Sequence, residues 1–225
     1  MKLQFLGTAA AEGFPSLYCM CEACKEAMSK GGRNIRSRCQ ALLDDTILLD
    51  FGPDTYYHMI MYKVPLESIH HILITHNHFD HIGAVGYIVE KCGCDVYIHK
   101  NDAEFLTNTY LNLSDRFGSE IVYNGRYFSV NEQHLSLLGL DFKFIHTPGH
   151  TPGSVCIRVG DCLFTGDTLF KRSVGNAFSP YGDTDLEILS IKNKVLNLDD
   201  RLLCYPGHGE STSIEYEKHF NPYLV

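Results

Sequence analysis

Short apolar segments separated by Gly, Pro, Asn and Asp run along the whole chain, and few are long enough for an extended helix. Leu3–Leu6 reads as a strand, followed by a small-residue loop from Gly7 to Pro15. Cys21 to Ser29 reads as a short helix that Gly31-Gly32 stops. Gln40–Leu43 and Thr46–Asp50 have the pattern of a β-hairpin turned at Asp44-Asp45. Ile69–Thr75 and Asp95–His99 are buried-type strands. Helical patterns follow each, over Ala84–Lys91 and from about Asn101-Asp102. Asp141–His146 is a further strand, and Ser154–Val159 with Asp161–Thr165 make a hairpin closed at Gly160. Leu186, Leu189 and Val195 give Asp183–Leu196 helical spacing, and Arg201–Cys204 is a last strand. With no internal repeat and no low-complexity linker, residues 1–225 read as a single α/β domain.

One arrangement recurs in this pattern. A strand ends, a turn follows, and a His or Asp sits in it, at Asp50, His76, His150, Asp167 and His208. Strand ends supply a rigid frame, and turns let side chains from distant segments converge. The densest case is His76-Asn77-His78-Phe79-Asp80-His81, where imidazole and carboxylate, the usual ligands of zinc, iron and manganese, crowd into six residues. On a loop such a run can split its side chains between two metal ions. Candidate partners lie in Thr147-Pro148-Gly149-His150-Thr151-Pro152-Gly153-Ser154, in Phe164-Thr165-Gly166-Asp167-Thr168 and in Tyr205-Pro206-Gly207-His208-Gly209.

Composition narrows the function classes. The chain is 44% hydrophobic and 20% charged, as in an ordinary globular protein, with a formal net charge of -8 that does not attract polynucleotides. No apolar run reaches membrane-spanning length, so no membrane association is expected. Nine scattered cysteines and no secretory apolar region near Met1 predict free thiols and a cytoplasmic location.

HNHFDH, TPGHTPGS, FTGDTLF and YPGHG, in that order, resemble the metallo-β-lactamase superfamily over most of the chain. The resemblance implies a four-layer αββα sandwich with the site along one edge. It implies that His76, His78 and His150 bind one metal, that Asp80, His81 and His208 bind a second, and that Asp167 bridges them. Asp50, in Leu48-Leu49-Asp50-Phe51-Gly52, matches an early Asp that supports the site from behind. Two divalent cations, zinc ahead of manganese or iron, would activate a water, with Asp80 orienting it and relaying its proton. No Ser-His-Asp triad is needed, and no Gly-x-Ser-x-Gly elbow is evident.

The two ends resemble different branches. From about Phe142 onward, including Arg172-Ser173-Val174-Gly175 and YPGHGEST, the chain is most similar to glyoxalase II-like hydrolases, which implies an acyl thioester or ester substrate. Glyoxalase II has a helical domain that helps bind glutathione. Only 17 residues follow His208, so recognition of that kind is not expected. The first 60 residues look like the phosphodiesterase branch, which includes the cyclic-phosphate diesterase of phosphonate breakdown and, more distantly, ribonuclease Z. The carriers of that likeness are Gly7 to Gly13, Cys19-x-Cys21-x-x-Cys24 and Arg33 to Arg38. By that likeness Cys19, Cys21 and Cys24 form a structural zinc clip. Ser211 stands where the branch has a fourth ligand, with His219, Cys39 or Cys204 as candidate replacements.

Arg172, Asn176 and Tyr181 lie in the loop after Asp167 and are candidate substrate-pocket residues. His58, His99, His134, His146 and His219 read as surface or locally hydrogen-bonded groups, His70-His71 as a strand start with at most one ring inward, and Cys92-Gly93-Cys94 as packing. A dinuclear hydrolase of a small ester-type molecule is therefore expected, acyl thioester or ester ahead of phosphodiester. The rivals are a mononuclear iron oxidoreductase of the same fold and a regulator that binds metal without turnover. The oligomeric state is left open, a homodimer included.

Overall fold

A computed structural model describes residues 1–225 apart from Ser119, Phe178 and Pro180. The first sheet comprises β1 (Leu3–Gly7), β2 (Gln40–Leu43), β3 (Ile47–Leu49), β4 (His71–Leu73), β5 (Asp95–His99) and β6 (Phe128–Val130), ordered as in the sequence. The β2–β3 hairpin is antiparallel, and β3 to β6 run parallel. The second sheet contains β7 (Gln133–Leu137), β8 (Leu140–His146), β9 (Val155–Val159) and β10 (Cys162–Gly166). After a small ribbon of β11 (Leu169–Phe170) and β12 (Ser173–Val174), it is completed by β13 (Leu203–Pro206) and β14 (Thr212–Ser213). Here β13 pairs parallel to β10.

Side-chain alternation builds the sandwich. Leu43, Ile47, Leu49 and Leu73 from the first sheet meet Phe142, Phe144, Ile157 and Phe164 from the second in one dry layer. The opposite residues of the first sheet, Leu42, Leu48, Ile72 and Val96, pack with Met59 of α2 (Thr55–Tyr62), the helix that follows α1 (Glu22–Lys30) in the chain, and with Val85 and Ile88 of α4 (Val85–Cys92). On the far side, Cys156, Leu163 and Cys204 pack with Ile191, Val195 and Ile214. Those residues belong to the segment after α5 (Thr184–Ser190) and to α6 (Ile214–Phe220). Helix, sheet, sheet, helix is the four-layer architecture expected. Among the described residues no helix is long and apolar enough to cross a membrane, and all nine cysteines are free.

Some expectations are revised. The strand expected over Ile69–Thr75 pairs only over His71–Leu73, because Ile69 closes a 3-10 turn and Thr75 turns toward Asp50 and β9. The helix from Asn101-Asp102 is a 3-10 segment, Lys100–Thr107. Asp183–Leu196 is α-helical to Ser190 and widens to a π-helix over Ile191–Val195. Of the two placements expected for His58 and His99, the hydrogen-bonded one is found and the surface one is not, since both are buried. His58 Nδ1 bonds Gln40 Oε1 (2.8 Å) and its Nε2 meets Ser37 Oγ (2.6 Å), while His99 stacks on His146 at 4.0 Å. Their burial follows from pairing these polar atoms inside the fold.

Candidate metal centre

Loops at one edge of the sandwich carry the His and Asp residues. His76 and His78 lie between β4 and the one-turn helix α3 (Phe79–Ile82), which bears Asp80 and His81. His150 lies in the turn between β8 and β9, Asp167 directly after β10, and His208 after β13. Gly207 N donates to Gly166 O (2.8 Å), which sets the Asp167 and His208 turns side by side.

Seven side chains converge. His78 Nδ1 is 3.1 Å from His150 Nε2, and Asp167 Oδ2 is 3.0 Å from His208 Nε2, 3.8 Å from His150 Nε2 and 3.9 Å from His76 Nε2. His81 Nε2 lies 3.7 Å from Asp80 Oδ2 and 3.8 Å from Asp167 Oδ1, and His208 Nε2 is 3.6 Å from Asp80 Oδ2. Ligands about 2.0–2.1 Å from a tetrahedral ion stand roughly 3.3 Å apart, so these separations suit the edges of coordination polyhedra. The atoms group as His76, His78, His150; as His76, His81, Asp167; and as Asp80, His81, His208. That is two triads with Asp167 reaching between them.

Three anchors fix which nitrogens face inward. His150 Nδ1 bonds Asn176 O (2.9 Å), His208 Nδ1 bonds Ala9 O (3.0 Å), and His81 Nδ1 lies 2.8 Å from Asp50 Oδ2. Each Nδ1–H so held leaves an Nε2 lone pair aimed at the centre. Buried His76 Nε2, His81 Nε2 and Asp167 Oδ1 have no hydrogen-bond partner, an arrangement that is costly unless a cation accepts these lone pairs. The donor set therefore fits metal ions.

Electrostatics agree. Burial pushes His76, His78 and His150 below the ordinary histidine range, so their rings are neutral at pH 7. Burial also opposes the charged form of His81, yet Asp50 and Asp80 outweigh it and lift His81 to about 10. In the same way Asp167 lifts His208 against burial, while His208, His76 and His81 hold Asp167 well below the carboxylate range. Buried carboxylates thus draw in positive charge, which protons supply in the metal-free protein and cations can replace.

Residues 43–208 match the metallo-beta-lactamase superfamily. The chain belongs to that superfamily. Its relatives include the hydroxyacylglutathione hydrolase GloC of Haemophilus influenzae, 34% identical over 158 residues, which are 68% of this chain and 74% of that protein. Among solved structures, the BLEG-1 B3 metallo-beta-lactamase is 35% identical with a TM-score of 0.76, covering 84% of this chain and 94% of its own. TTHA1623 in a di-iron-bound form is 31% identical with a TM-score of 0.71, covering 84% and 96%.

Asp50, Asp80 and the six other sequence-selected residues of this superfamily site all converge, but the pocket residues divide. A cavity of about 420 Å³ opens over the centre, bounded by His78, Asp80, His150 and His208, by Phe79, Leu113 and Phe170, and by Glu12, Arg116 and Asn176. Arg172 does not line it: it sits in the β11–β12 turn at φ 59° with its N–H on Glu217 Oε2 (2.9 Å), side chain outward. Tyr181 stands behind His78, ring centroids 6.4 Å apart, with its hydroxyl on Leu111 O. The cavity residues Leu113 and Arg116 carry no recognisable sequence motif, while Ala9 and Glu12 belong to the Gly7 to Gly13 segment, whose motif gave no sign of the Ala9 carbonyl anchor.

Cys19, Cys21 and Cys24 lie together, the first two sulfurs 3.4 Å apart and Cys24 N on Cys21 Sγ (3.5 Å). Among the described residues no fourth ligand joins them. Cys204 is in the core under α6, and Cys39 is half-buried near Asp50, Asp80 and Asp167, where desolvation and then their charges raise its thiol pKa.

Proposed function

We propose that the chain is a dinuclear metal-dependent hydrolase of small ester-type substrates, with acyl thioesters and esters ahead of phosphodiesters. The observation that carries this reading is the pair of buried triads sharing Asp167, with Nε2 atoms of His81, His150 and His208 directed inward by Nδ1 anchors. His76, His78 and His150 would hold one cation, Asp80, His81 and His208 the other, with Asp167 between. Two cations there would supply an activated water at neutral pH and a Lewis acid for the substrate oxygen. Asp80 lines the cavity and reaches the second triad, so its carboxylate can orient the incoming water and carry its proton to the leaving group. Phe79, Leu113 and Phe170 form an apolar wall that suits an acyl chain.

The relative named as a hydroxyacylglutathione hydrolase supports the acyl preference, and the di-iron neighbour supports two metals and keeps iron beside zinc and manganese. A specific observation favours phosphodiesters as the second reading. The amino-terminal loop, where the likeness to that branch lies, contributes Ala10, Ala11 and Glu12 to the cavity. The three clustered thiols are assigned to a third, structural zinc, which Cys24→Ser would remove from the metal count.

Purified protein loaded with Zn, Mn or Fe is to be assayed on a simple thioester, lactoylglutathione, bis-p-nitrophenyl phosphate and a cyclic nucleotide. Thioester or ester turnover is expected. Turnover of the phosphodiesters alone would reverse the order. A single bound iron with oxygen consumption and no hydrolysis would transfer the chain to the oxidoreductases. Full activity in His78→Ala and Asp80→Ala would sink the metal mechanism.

A further inference from the structure

Asp102 takes no part in the chemistry above, yet its carboxylate is fully buried between two of the loops that carry it. It lies in the first turn of the 3-10 segment after β5. One oxygen accepts Thr151 Oγ1–H (2.7 Å) and the other accepts Gly153 N–H (2.5 Å), both from the turn that bears His150. On its other side the 3-10 segment continues β5, which runs parallel to β4, the strand that leads into the His76–His78 loop. A single side chain therefore ties the His150 turn to the strand beside the one that leads into His76 and His78.

The turn is shaped to receive it. Thr151 and Ser154 hydroxyls meet at 2.7 Å, Thr151 N donates to Ser154 Oγ (3.0 Å), and Gly149 N donates to Thr151 O (3.1 Å). The turn is thus closed on itself, and Asp102 is what ties its tip to the opposite sheet. A Cβ at position 153 would stand 2.5 Å from the Asp102 carboxyl carbon, so glycine is what lets the carboxylate approach. Asn101 Nδ2 adds a weaker tie to Pro152 O (3.3 Å).

We propose that Asp102 is a positioning residue that sets the spacing of the His76–His78 loop against the His150 turn, and so tunes the first metal position and not the second. The proposal rests on the dinuclear reading. It follows from direction: Asp102's bonds run to the turn that bears His150, whereas His81 and His208 are held by Asp50 and Ala9. A carboxylate, with two acceptor oxygens and no donor, satisfies both turn donors at once, whereas an amide meets one of them with its NH₂.

Cobalt titration of the full-length protein carrying Cys24→Ser, which takes the thiol cluster out of the count, followed by visible absorption and competition with a chelating indicator, reads the two sites without turnover. In Asp102→Ala one of the two equivalents is expected to weaken by about 10–100-fold, the range for groups that orient metal ligands, while the other is unchanged. Asp102→Asn is expected to fall between Ala and wild type. Gly153→Ala, which displaces the carboxylate from the other side, should weaken the same equivalent. In thioester hydrolysis kcat should fall with KM held. If Asp102→Ala fails to fold, Asp102→Asn and Gly153→Ala decide the matter. Two equivalents bound as tightly in the variants as in wild type, or equal weakening of both, would overturn the positioning role alone. A wild-type protein that takes up no cobalt would overturn the dinuclear reading and this role with it.

Discussion

Replacing Asp50 by Asn isolates what a carboxylate does behind the second triad. Asp50 sits at φ 58°, a left-handed conformation that Asn adopts as readily, so the backbone is not perturbed. Its Oδ1 accepts Thr75 N–H (2.9 Å), both oxygens lie 3.0 Å from Thr75 Oγ1, and Oδ2 is 2.8 Å from His81 Nδ1. An amide can serve only one side. With its oxygen on Thr75 N–H, its NH₂ faces His81 Nδ1 and drives the proton to Nε2, the atom that must face the metal. Flipped, it keeps His81 in order but sets NH₂ against the buried Thr75 N–H, which costs about 1–3 kcal/mol. That buried clash favours the first orientation, which predicts a loss of about 10–100-fold in affinity for one metal, or roughly 1.4–2.8 kcal/mol. Competition with a chelating indicator measures it: one equivalent as tight as wild type, the other weakened, and kcat reduced with it. The metal-free protein gives a second reading. His81, lifted to about 10, contributes stability fully present below its unfolded value near 6.5 and lost as pH rises through about 10. Wild-type melting temperature should therefore decline across that window and Asp50→Asn should decline less. Unchanged affinity for both metals in Asp50→Asn would refute the tautomer argument.

Other consequences are independent of that pair. Gly207→Ala would place a Cβ 2.2 Å from Asp167 Oδ1 and 3.2 Å from His81 Cε1, so hydrolysis and metal content should collapse together while far-ultraviolet circular dichroism is retained. Burial holds His58 down at about 4 against 6.5, so its contribution is complete above pH 6.5 and lost as pH falls toward 4. Chemical denaturation across pH 4–7 should show up to about 3 kcal/mol of this loss, and His58→Gln should flatten it. Phe144→Ala, emptying a fully buried place between the sheets, should cost about 3–5 kcal/mol in urea titration with a nearly unchanged slope. Chelation of bound metal should lower the melting temperature, with recovery on re-addition of zinc, because the native triads bind what the unfolded chain does not.

The chain's own order of residues determined a good deal. Seven candidate donors in HNHFDH, TPGH, TGD and PGH, with Asp50 as support, were legible because a ligand needs a particular side chain at a strand end, and both side chain and strand end leave local traces. The hairpin over Gln40–Leu43 and Ile47–Leu49 was equally local, set by Asp44 and Asp45, both at positive φ. Helix α2 was not legible, since Thr-Tyr-Tyr-His-Met-Ile-Met-Tyr leaves large apolar side chains exposed and offers no clean polar face. Nor were the carbonyls of Ala9 and Asn176, because any residue supplies a carbonyl and only folding brings these to His208 and His150. Arg172 and Tyr181 were placed in the pocket by proximity in sequence to Asp167, but the β11–β12 turn carries Arg172 outward and Tyr181 packs behind His78. Asp102 is the clearest division: alone it is one acid at the start of a 3-10 segment, and the packing of two sheets makes it the carboxylate that ties the His150 turn to the first sheet. Sequence determined which atoms could bind a metal, and tertiary structure decided which nitrogens face inward, what holds them and what lines the cavity. Tautomer, burial and spacing arise only when segments more than a hundred residues apart are brought within a few ångströms.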